Sequence, residues 1–517
     1  MVVRRSSSRS AGGDQVSRAL RELASEMFSE RDLIIASNRG PLEFELDENG
    51  ALQSQRGSGG VVTALNAVSQ FVDLTWVASA MTEGDRRAAE QGEISAGDAD
   101  DAAGRLKLRF VVSARNTYNR YYNIFCNPLL WFIQHYMWNT PRTPNISRTI
   151  YDAWDQGYVP VNREFAQAIA AGGAGNAARA PYVMLHDYHL YLAPAEVREL
   201  LPEAVIHHFT HIPWPDPRYW ELLPLFMRQR IYESLCTADI VGMQTQRDTR
   251  NFLHGSEAFL DGADVDYRDS TVRYNGHVTY VRAYPISIDA QSLLELVDTP
   301  EVAGPRERLR SLRAEKTIVR VDRAEPSKNI LRGFRAFELL IQRHEEFRGR
   351  VKFLAFLVPS RTDIGLYQTY TDEIFELVDA INDEYGMLGW QPIEIFFESN
   401  YPQAIAALRD ADVTLVNPLI DGMNLVAKEA SLVSTVDGVL ILSEAAGSYD
   451  QLREFVLGVA PADIEGTVRA LRQALKMGAT ERRRRARGLR KLVQKEDVRA
   501  WLMHQFRDLQ AVSQSRA

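Results

Sequence analysis

The feature that most constrains this chain is alternation. From about residue 33 onward, short apolar runs take turns with longer amphipathic stretches of helical period. Parallel strands need a crossover connection, most compactly a helix, so this rhythm points to βα units around parallel sheets. LIIAS at residues 33–37 reads as the first buried strand, followed by a polar hairpin turning at Asn49-Gly50. The loop at residues 57–60 then opens a helix, VVTALNAVSQF. Further strands are expected at 182–185, 205–209 and 240–243, and residues 85–104, rich in Ala, Asp, Gly and Glu, read as an exposed segment. A proline-containing strand end at 281–289 closes this series. After the charged stretch 301–316 a second series places strands at 317–321, 352–358, 393–397, 413–416 and 438–442.

A chain of 517 residues exceeds what one hydrophobic core holds. The expected division is a disordered tail at 1–15, a first domain at 16–290, a second at 291–480, and a C-terminal helix at 481–517 returning to the first domain. The hinge is expected near 286–305. The fold class is α/β: two Rossmann-like, doubly wound domains facing across a cleft, with ligands at the carboxyl ends of the strands.

Composition narrows the partners. A net charge of -8 gives no electrostatic reason to expect nucleic acid or an anionic membrane. The one basic run, 482–485 with Arg487, reads as the solvated face of a helix. Cys126 and Cys236 are far apart and read as packing residues, not as a disulfide framework or a zinc site. No apolar run approaches the ~18 residues needed to span a bilayer. The start, VVRRSSSRSAGGD, is not followed by an apolar signal core, so a cytoplasmic location is expected. The oligomeric state stays open, a homo-oligomer included.

Two segments carry the chemistry. In NPLIDGMNLVAKE (417–429) a strand gives way to a loop and then a helix starting near Asn424. Gly422 permits close backbone approach, and free amides at a helix start suit an anion or sugar hydroxyls. Asp421 can accept hydrogen bonds from a hexose, and Glu429, about a turn and a half into the helix, can reach a ribose diol. Simple helix capping by Asp421, with Glu429 solvated, is the competing view. In IVRVDRAEPSKNI, Arg323 and Lys328 flank a turn built around Pro326. Aimed at one spot, they would stabilise a departing diphosphate; as a pair alone they are equally well two surface cations.

The segment DGMNLVAKE resembles the retaining glycosyltransferases that make trehalose 6-phosphate, glycosyltransferase family 20, and the resemblance runs from about Leu33 to Leu509. Ser37-Asn38-Arg39, the glycine pair Gly59-Gly60, YYNIFCNPLLW, WDQGYVPVN, HDYHL, HIPWP and LSEAAG follow in the family's order. The resemblance implies a GT-B fold. It also implies a donor site of Gly59, Gly60, His211, Arg323, Lys328, Asp421, Gly422, Met423, Asn424, Leu425, Val426 and Glu429. Of these, Arg323, Lys328, Asp421 and His211 would serve the reaction itself. It implies an acceptor site in which Arg39 and Arg361 grip a sugar phosphate, Tyr122 and Trp131 shape the pocket, and Asp187 and Tyr188 hold hydroxyls. Two arginines suit a phosphomonoester, whereas Tyr122 and Trp131 read without the family are core aromatics.

The implied reaction moves glucose from GDP-glucose or UDP-glucose to glucose 6-phosphate, with no cofactor and no metal. His207 and His211, four apart on a strand, lie ~13 Å from each other, too far to share a zinc. Asp410-Ala411-Asp412 reads as a helix end before a strand. HIPWPDPRYW and the EPSKN turn resemble the validoxylamine 7'-phosphate branch, whose donor carries guanine, which favours GDP-glucose. The chain departs from the family's R-L-D-Y-x-K-G at Glu325, Pro326 and Asn329, and from PLRDG at Ile420. The alternatives are a relative with another acceptor (glycerol 3-phosphate or a cyclitol), a hydrolase pairing Asp187 with Glu429, and a non-catalytic sugar-phosphate sensor.

Overall fold

The computed structural model describes residues 11–57, 65, 67–96, 106–172, 179–361 and 364–516. The chain divides into two compact units, Met1–Ile286 with Val498–Ala517, and Ser287–Asp497. Among the described residues no helix is long and apolar enough to cross a membrane.

The first unit is built on a ten-stranded sheet. In chain order its first strands are β1 (Leu33–Ser37), a separate hairpin of β2 (Leu42–Leu46) and β3 (Leu52–Arg56), β4 (Leu74–Ser79), β5 (Ile94–Ala96) and β6 (Leu106–Val111). They are followed by β7 (Tyr182–His186), β8 (Val205–Phe209), β9 (Ile240–Met243), β10 (Asp264–Asp266), β11 (Thr271–Tyr274) and β12 (His277–Ala283). The order across the sheet is β10-β11-β12-β9-β8-β7-β1-β4-β6-β5, parallel from β12 to β6. β1, β7, β8 and β9 are buried throughout, as strands covered on both faces must be. The order reverses direction at β1, which has β4 on one side and β7 on the other. This is a topological switch point, where open α/β sheets bind their ligands.

The second unit holds β13 (Lys316–Arg323), β14 (Val351–Val358), β15 (Ile393–Phe397), β16 (Val413–Val416), β17 (Val439–Ser443) and β18 (Leu457–Val459). They form one parallel sheet, β15-β14-β13-β16-β17-β18. The switch point lies between β13 and β16, so the segments after these two strands, residues 323–329 and 417–424, emerge side by side.

Several expectations are corrected. Residues 11–28 form a helix, Ala11–Phe28, so the tail ends earlier than 15; residues 1–10 lie outside the described residues. Residues 61–64 and 66 of the helix expected after the 57–60 loop are likewise outside them, and residues 68–70 form a 3-10 turn. The segment 85–104 is described only to residue 96, and that part is not simply exposed. Glu83–Ala89 is a helix whose Asp85 is buried and accepts the amides of Phe44, Met81 and Thr82 at 2.8, 2.9 and 3.0 Å. β4, β5, β6, β10 and β11, absent from the expected strands, complete the sheet. The expected C-terminal helix is two. Ala479–Lys495 belongs to the second unit, and only Val498–Arg516 joins the first, with Trp501 donating to the Tyr284 carbonyl at 3.1 Å. Nor is 482–485 merely solvated. Arg482 reaches the Val436 carbonyl at 2.7 Å and Arg485 the Val456 carbonyl at 2.8 Å, while Arg483 and Arg484 face water. Cys126 and Cys236 are free and buried.

One buried charge organises the second unit's switch point. Arg320, in mid-β13, has no exposure to water. Its Nε and Nη2 donate to Asp322 at 3.0 and 2.8 Å, Nη2 to the Lys328 carbonyl at 3.0 Å, and Nη1 to the Ile330 carbonyl at 3.3 Å. The guanidinium thereby holds the turn that follows its own strand. Gly333, in the helix Ile330–Arg343, leaves the room: a Cβ there would stand 2.4 Å from Arg320 Nη1. Gly→Ala within a helix ordinarily stabilises by about 1 kcal/mol. Here the pinned guanidinium cannot step aside, and Gly333→Ala is expected to destabilise by about 1–3 kcal/mol. Equilibrium denaturation of the two proteins gives the sign.

Candidate active site

The second unit brings together the two segments singled out by motif. Arg323 ends β13, and Lys328 closes the 3-10 turn Pro326–Lys328. Asn329 follows in the left-handed region (φ 58°), which Asn tolerates better than most residues. Its side-chain amide donates to the carbonyls of Asn417 at 2.9 Å and Pro461 at 2.7 Å, tying this turn to the ends of β16 and β18. Asn thus supplies both the backbone conformation and two bonds that a glycine lacks.

Across from the turn, Asp421 accepts from Lys328 Nζ at 2.6 Å and from the Asn424 amide at 3.0 Å. It does not cap the next helix. Asn424 does, accepting from the Ala427 amide at 3.2 Å. Gly422 and Met423 are buried between, and the Met423 carbonyl accepts from the amide of Ser448, which follows the LSEAAG segment, at 3.0 Å. Leu425 and Val426, half-buried, begin the helix Leu425–Val433. Burial alone would drive the Lys328 proton off, but Asp421 and Glu325 outweigh it and hold the ammonium above its ordinary pKa. Glu429, on the same helix, accepts from the Tyr401 hydroxyl at 3.0 Å. Burial pushes its carboxyl up to about 7, and the Tyr401 bond works against that rise. Ile420 is half-buried, and nothing in the structure explains the missing cation.

Glu325 sits among these cations with 1% exposure. Arg323 Nη2 and Lys328 Nζ approach the same oxygen, Oε1, at 3.3 and 3.8 Å, while Arg361 Nη1 donates to Oε2 at 3.0 Å. Arg361 also donates to the Tyr367 hydroxyl at 2.9 Å. It belongs to this second unit, whereas Arg39, its expected companion on the acceptor phosphate, belongs to the first.

In the first unit the expected residues gather at the carboxyl ends of β1, β7 and β8. Arg39 follows β1, half exposed, bonded to Glu43 at 3.1 Å and to the Tyr122 side chain. Tyr122 lies in a three-ring stack, 5.6 Å from Tyr118 and 5.8 Å from His189. Trp131 is enclosed, stacked on His135 at 3.9 Å, so it is a packed aromatic of the interior. Tyr188, also buried, donates to Asn127 at 2.8 Å. Asp187 adopts φ 75°, unusual for a residue with a side chain, and accepts the His211 amide at 3.2 Å. His186 meets the His211 ring, Nδ1 to Nε2, at 3.1 Å. Burial, with His208 and His207 adding to it, lowers His211 to about 3, so its imidazole is neutral at physiological pH. His207 packs instead under Gly242, where a Cβ would stand 2.7 Å from its Nε2. Gly59 and Gly60 lie outside the described residues. Among those described, no group of three or more His, Cys, Asp or Glu is placed to hold a metal. Asp410 and Asp412 are taken by Arg306 and Lys316, at 2.6 and 2.8 Å.

Sequence reasoning missed Arg320 and Tyr401, and gave no role of its own to His186, the first residue of the quoted HDYHL. An arginine amid the apolar residues of IVRV was the available signal for the first. Nothing local marked Tyr401.

The chain matches the model of glycosyltransferase family 20 over residues 31–511. It is 34% identical to the trehalose-6-phosphate synthase of Mycobacterium avium, over 92% of this chain and 94% of that protein. Among solved structures it resembles a Burkholderia xenovorans alpha,alpha-trehalose-phosphate synthase (UDP-forming) in complex with glucose-6-phosphate. That match has 28% identity and TM-score 0.78, over 93% of this chain and 100% of the other. It also resembles an E. coli trehalose-6-phosphate structure bound with UDP-2-fluoro glucose (25%, TM-score 0.78, 92% and 98% covered). The fold is thus the GT-B fold of these glycosyltransferases. With a family match across nearly its whole length, the chain belongs to glycosyltransferase family 20.

Proposed function

We propose that this chain transfers glucose from a nucleoside-diphosphate glucose to glucose 6-phosphate, with retention at the anomeric carbon, yielding trehalose 6-phosphate. The observation that carries the reading is the 2.6 Å contact of Lys328 with Asp421, joined through Glu325 to Arg323 at the switch point. The Mycobacterium avium relative and the glucose-6-phosphate complex of the Burkholderia relative support the substrates.

In this reading the bond from C1 to the diphosphate oxygen breaks while C1 bonds the acceptor hydroxyl on the same face. The acceptor proton passes to the departing phosphate oxygen. Arg323 and Lys328 take up the negative charge that gathers on the diphosphate, the role a divalent cation plays in other transferases, so no metal is required. Asp421, anchored by Lys328 and Asn424, presents its carboxylate to the hexose hydroxyls. Glu429 accepts from the ribose diol. His211, neutral and gripped by Asp187 and His186, contacts the hexose without adding charge. Arg361 and Arg39 take the acceptor phosphate, and Asp187 and Tyr188 its hydroxyls.

For the base, HIPWPDPRYW and the EPSKN turn favour guanine, while the solved relatives are UDP-forming or hold a UDP sugar. We carry GDP-glucose as the preferred donor. A matrix of UDP-, GDP- and ADP-glucose against glucose 6-phosphate and glycerol 3-phosphate, with chelator present and product scored by mass, decides donor and acceptor together. Faster turnover of UDP-glucose would replace the donor assignment, and product only from glycerol 3-phosphate would replace the acceptor. No nucleotide release from any pair would leave a sugar-phosphate sensor.

Arg323→Ala and Lys328→Ala are each expected to lower kcat by about 10²–10³-fold with the fold intact. Near-normal turnover in either would overturn the leaving-group assignment. The ribose role of Glu429 predicts a pH dependence. Only the carboxylate can accept from both hydroxyls, and it is lost as pH falls through about 7. Nucleotide affinity should therefore weaken on acidification, by up to about tenfold per unit. Tyr401→Phe removes the bond that favours ionisation and should move the break to higher pH. Titrations of nucleoside diphosphate binding against pH, in both proteins, check the direction.

A further inference from the structure

Glu325 presents a puzzle of charge. A carboxylate with 1% exposure lies among the cations that this reading assigns to two anions, where its own charge repels both. Its surroundings are well defined. Oε1 is approached by Arg323 at 3.3 Å, Lys328 at 3.8 Å and the Ser327 hydroxyl at 3.5 Å. Oε2 is approached by Arg361 at 3.0 Å and the Ser360 hydroxyl at 3.5 Å. The backbone fixes the base of the side chain as well: the Glu325 amide donates to the Arg323 carbonyl at 2.8 Å, and the neighbouring Ala324 amide donates to the Val358 carbonyl at 2.8 Å. One oxygen therefore serves the two cations assigned to the donor diphosphate, and the other serves the cation assigned to the acceptor phosphate.

We infer that Glu325 is a positioning residue shared by both phosphate subsites, lowering affinity for each anion in order to hold Arg323, Lys328 and Arg361 in the geometry that the reaction needs. Three like charges around one carboxylate, two of them largely buried, would otherwise spread apart. Each would then meet its anion readily, but in several arrangements, few of them aligned for transfer. The carboxylate gathers the cations before the substrates arrive, so their reorganisation is complete when charge develops on the leaving group. This inference rests on the assignment of Arg323 and Lys328 to the diphosphate and of Arg361 to the acceptor phosphate.

The test is Glu325→Gln, which keeps the shape and removes the charge. Binding of the product nucleoside diphosphate and of glucose 6-phosphate is measured separately by calorimetry, with kcat alongside. Both dissociation constants should fall, by about threefold to tenfold, while kcat drops at least about tenfold. A merely structural role would weaken binding and kcat together. Glu325→Asp, which restores the charge and the residue type usual in the family, should recover most of kcat. The inference is overturned if kcat of Glu325→Gln is unchanged, if either ligand binds no more tightly, or if Glu325→Asp recovers nothing. Arg323→Ala and Arg361→Ala are measured in parallel. Unchanged nucleotide binding in the first, or unchanged glucose 6-phosphate binding in the second, shows that the subsite assignment has failed, and the inference falls with it. Should Glu325→Gln not fold, Arg361→Gln carries the test. Its nucleotide binding should weaken by about threefold as Glu325 turns its full charge on Arg323 and Lys328, and unchanged nucleotide binding overturns the link.

Discussion

The second unit depends on a guanidinium buried in mid-strand. Arg320 could be an apolar residue as far as the sheet is concerned, and an apolar residue would avoid a desolvation cost of several kcal/mol. What the arginine adds is reach. Carbonyls at the end of a turn need donors, and here they find them in the side chain of the strand that leads into it. Asp322 supplies the counter-charge, two residues along the same face of β13. The turn is therefore fixed from within, and Lys328 emerges from it at a set place. Asn329 then fastens the same turn to its neighbours, so that Asp421 and Lys328, 93 residues apart in sequence, meet at hydrogen-bond distance.

The two units treat charge differently. The second gathers arginine, lysine, glutamate and aspartate into one network, which suits ligands that arrive and leave as phosphates. In the first, the ends of β7 and β8 carry buried histidines held neutral by burial, together with tyrosine rings. A neutral imidazole and stacked aromatics suit sugar hydroxyls, which require directed hydrogen bonds and contact with ring faces but no counter-charge. Arg39 is the exception and keeps much of its side chain toward water.

How legible each part was in the sequence follows from where its physics resides. The strands of the second unit are short apolar runs, the central ones buried on both faces, and all but the last, β18, could be marked from the runs alone. β4 was missed although only Thr75 interrupts its buried run, whereas in β6 Lys107 and Arg109 alternate through the run, the pattern of a strand near a sheet edge. The arginine run at 482–485 looked solvated because charge usually is, yet two of its members hold carbonyls of distant loops. The helix at Glu83–Ala89 was hidden by a polar composition that in fact serves capping. Candidate site residues could be picked out where their setting is local, as in the loop and helix of 417–429. Glu325 and Asn329 were visible only as departures from a pattern. Tyr401 and His186 have roles that exist only once distant segments meet.

The final helix, Val498–Arg516, has a consequence for the order in which this protein can be made. Its Trp501 and Phe506 are buried in the first unit, Phe506 against Phe28 near the chain's beginning and Trp501 against Phe209. Domains commonly fold as they leave the ribosome, amino-terminal ones first. Here the first unit to emerge is the last that can be completed, because part of its core is translated only after the whole second unit. Throughout that interval the growing chain carries an open apolar surface on its amino-terminal sheet. The second unit, continuous in sequence, has no such wait, and the nascent protein can complete it before the first.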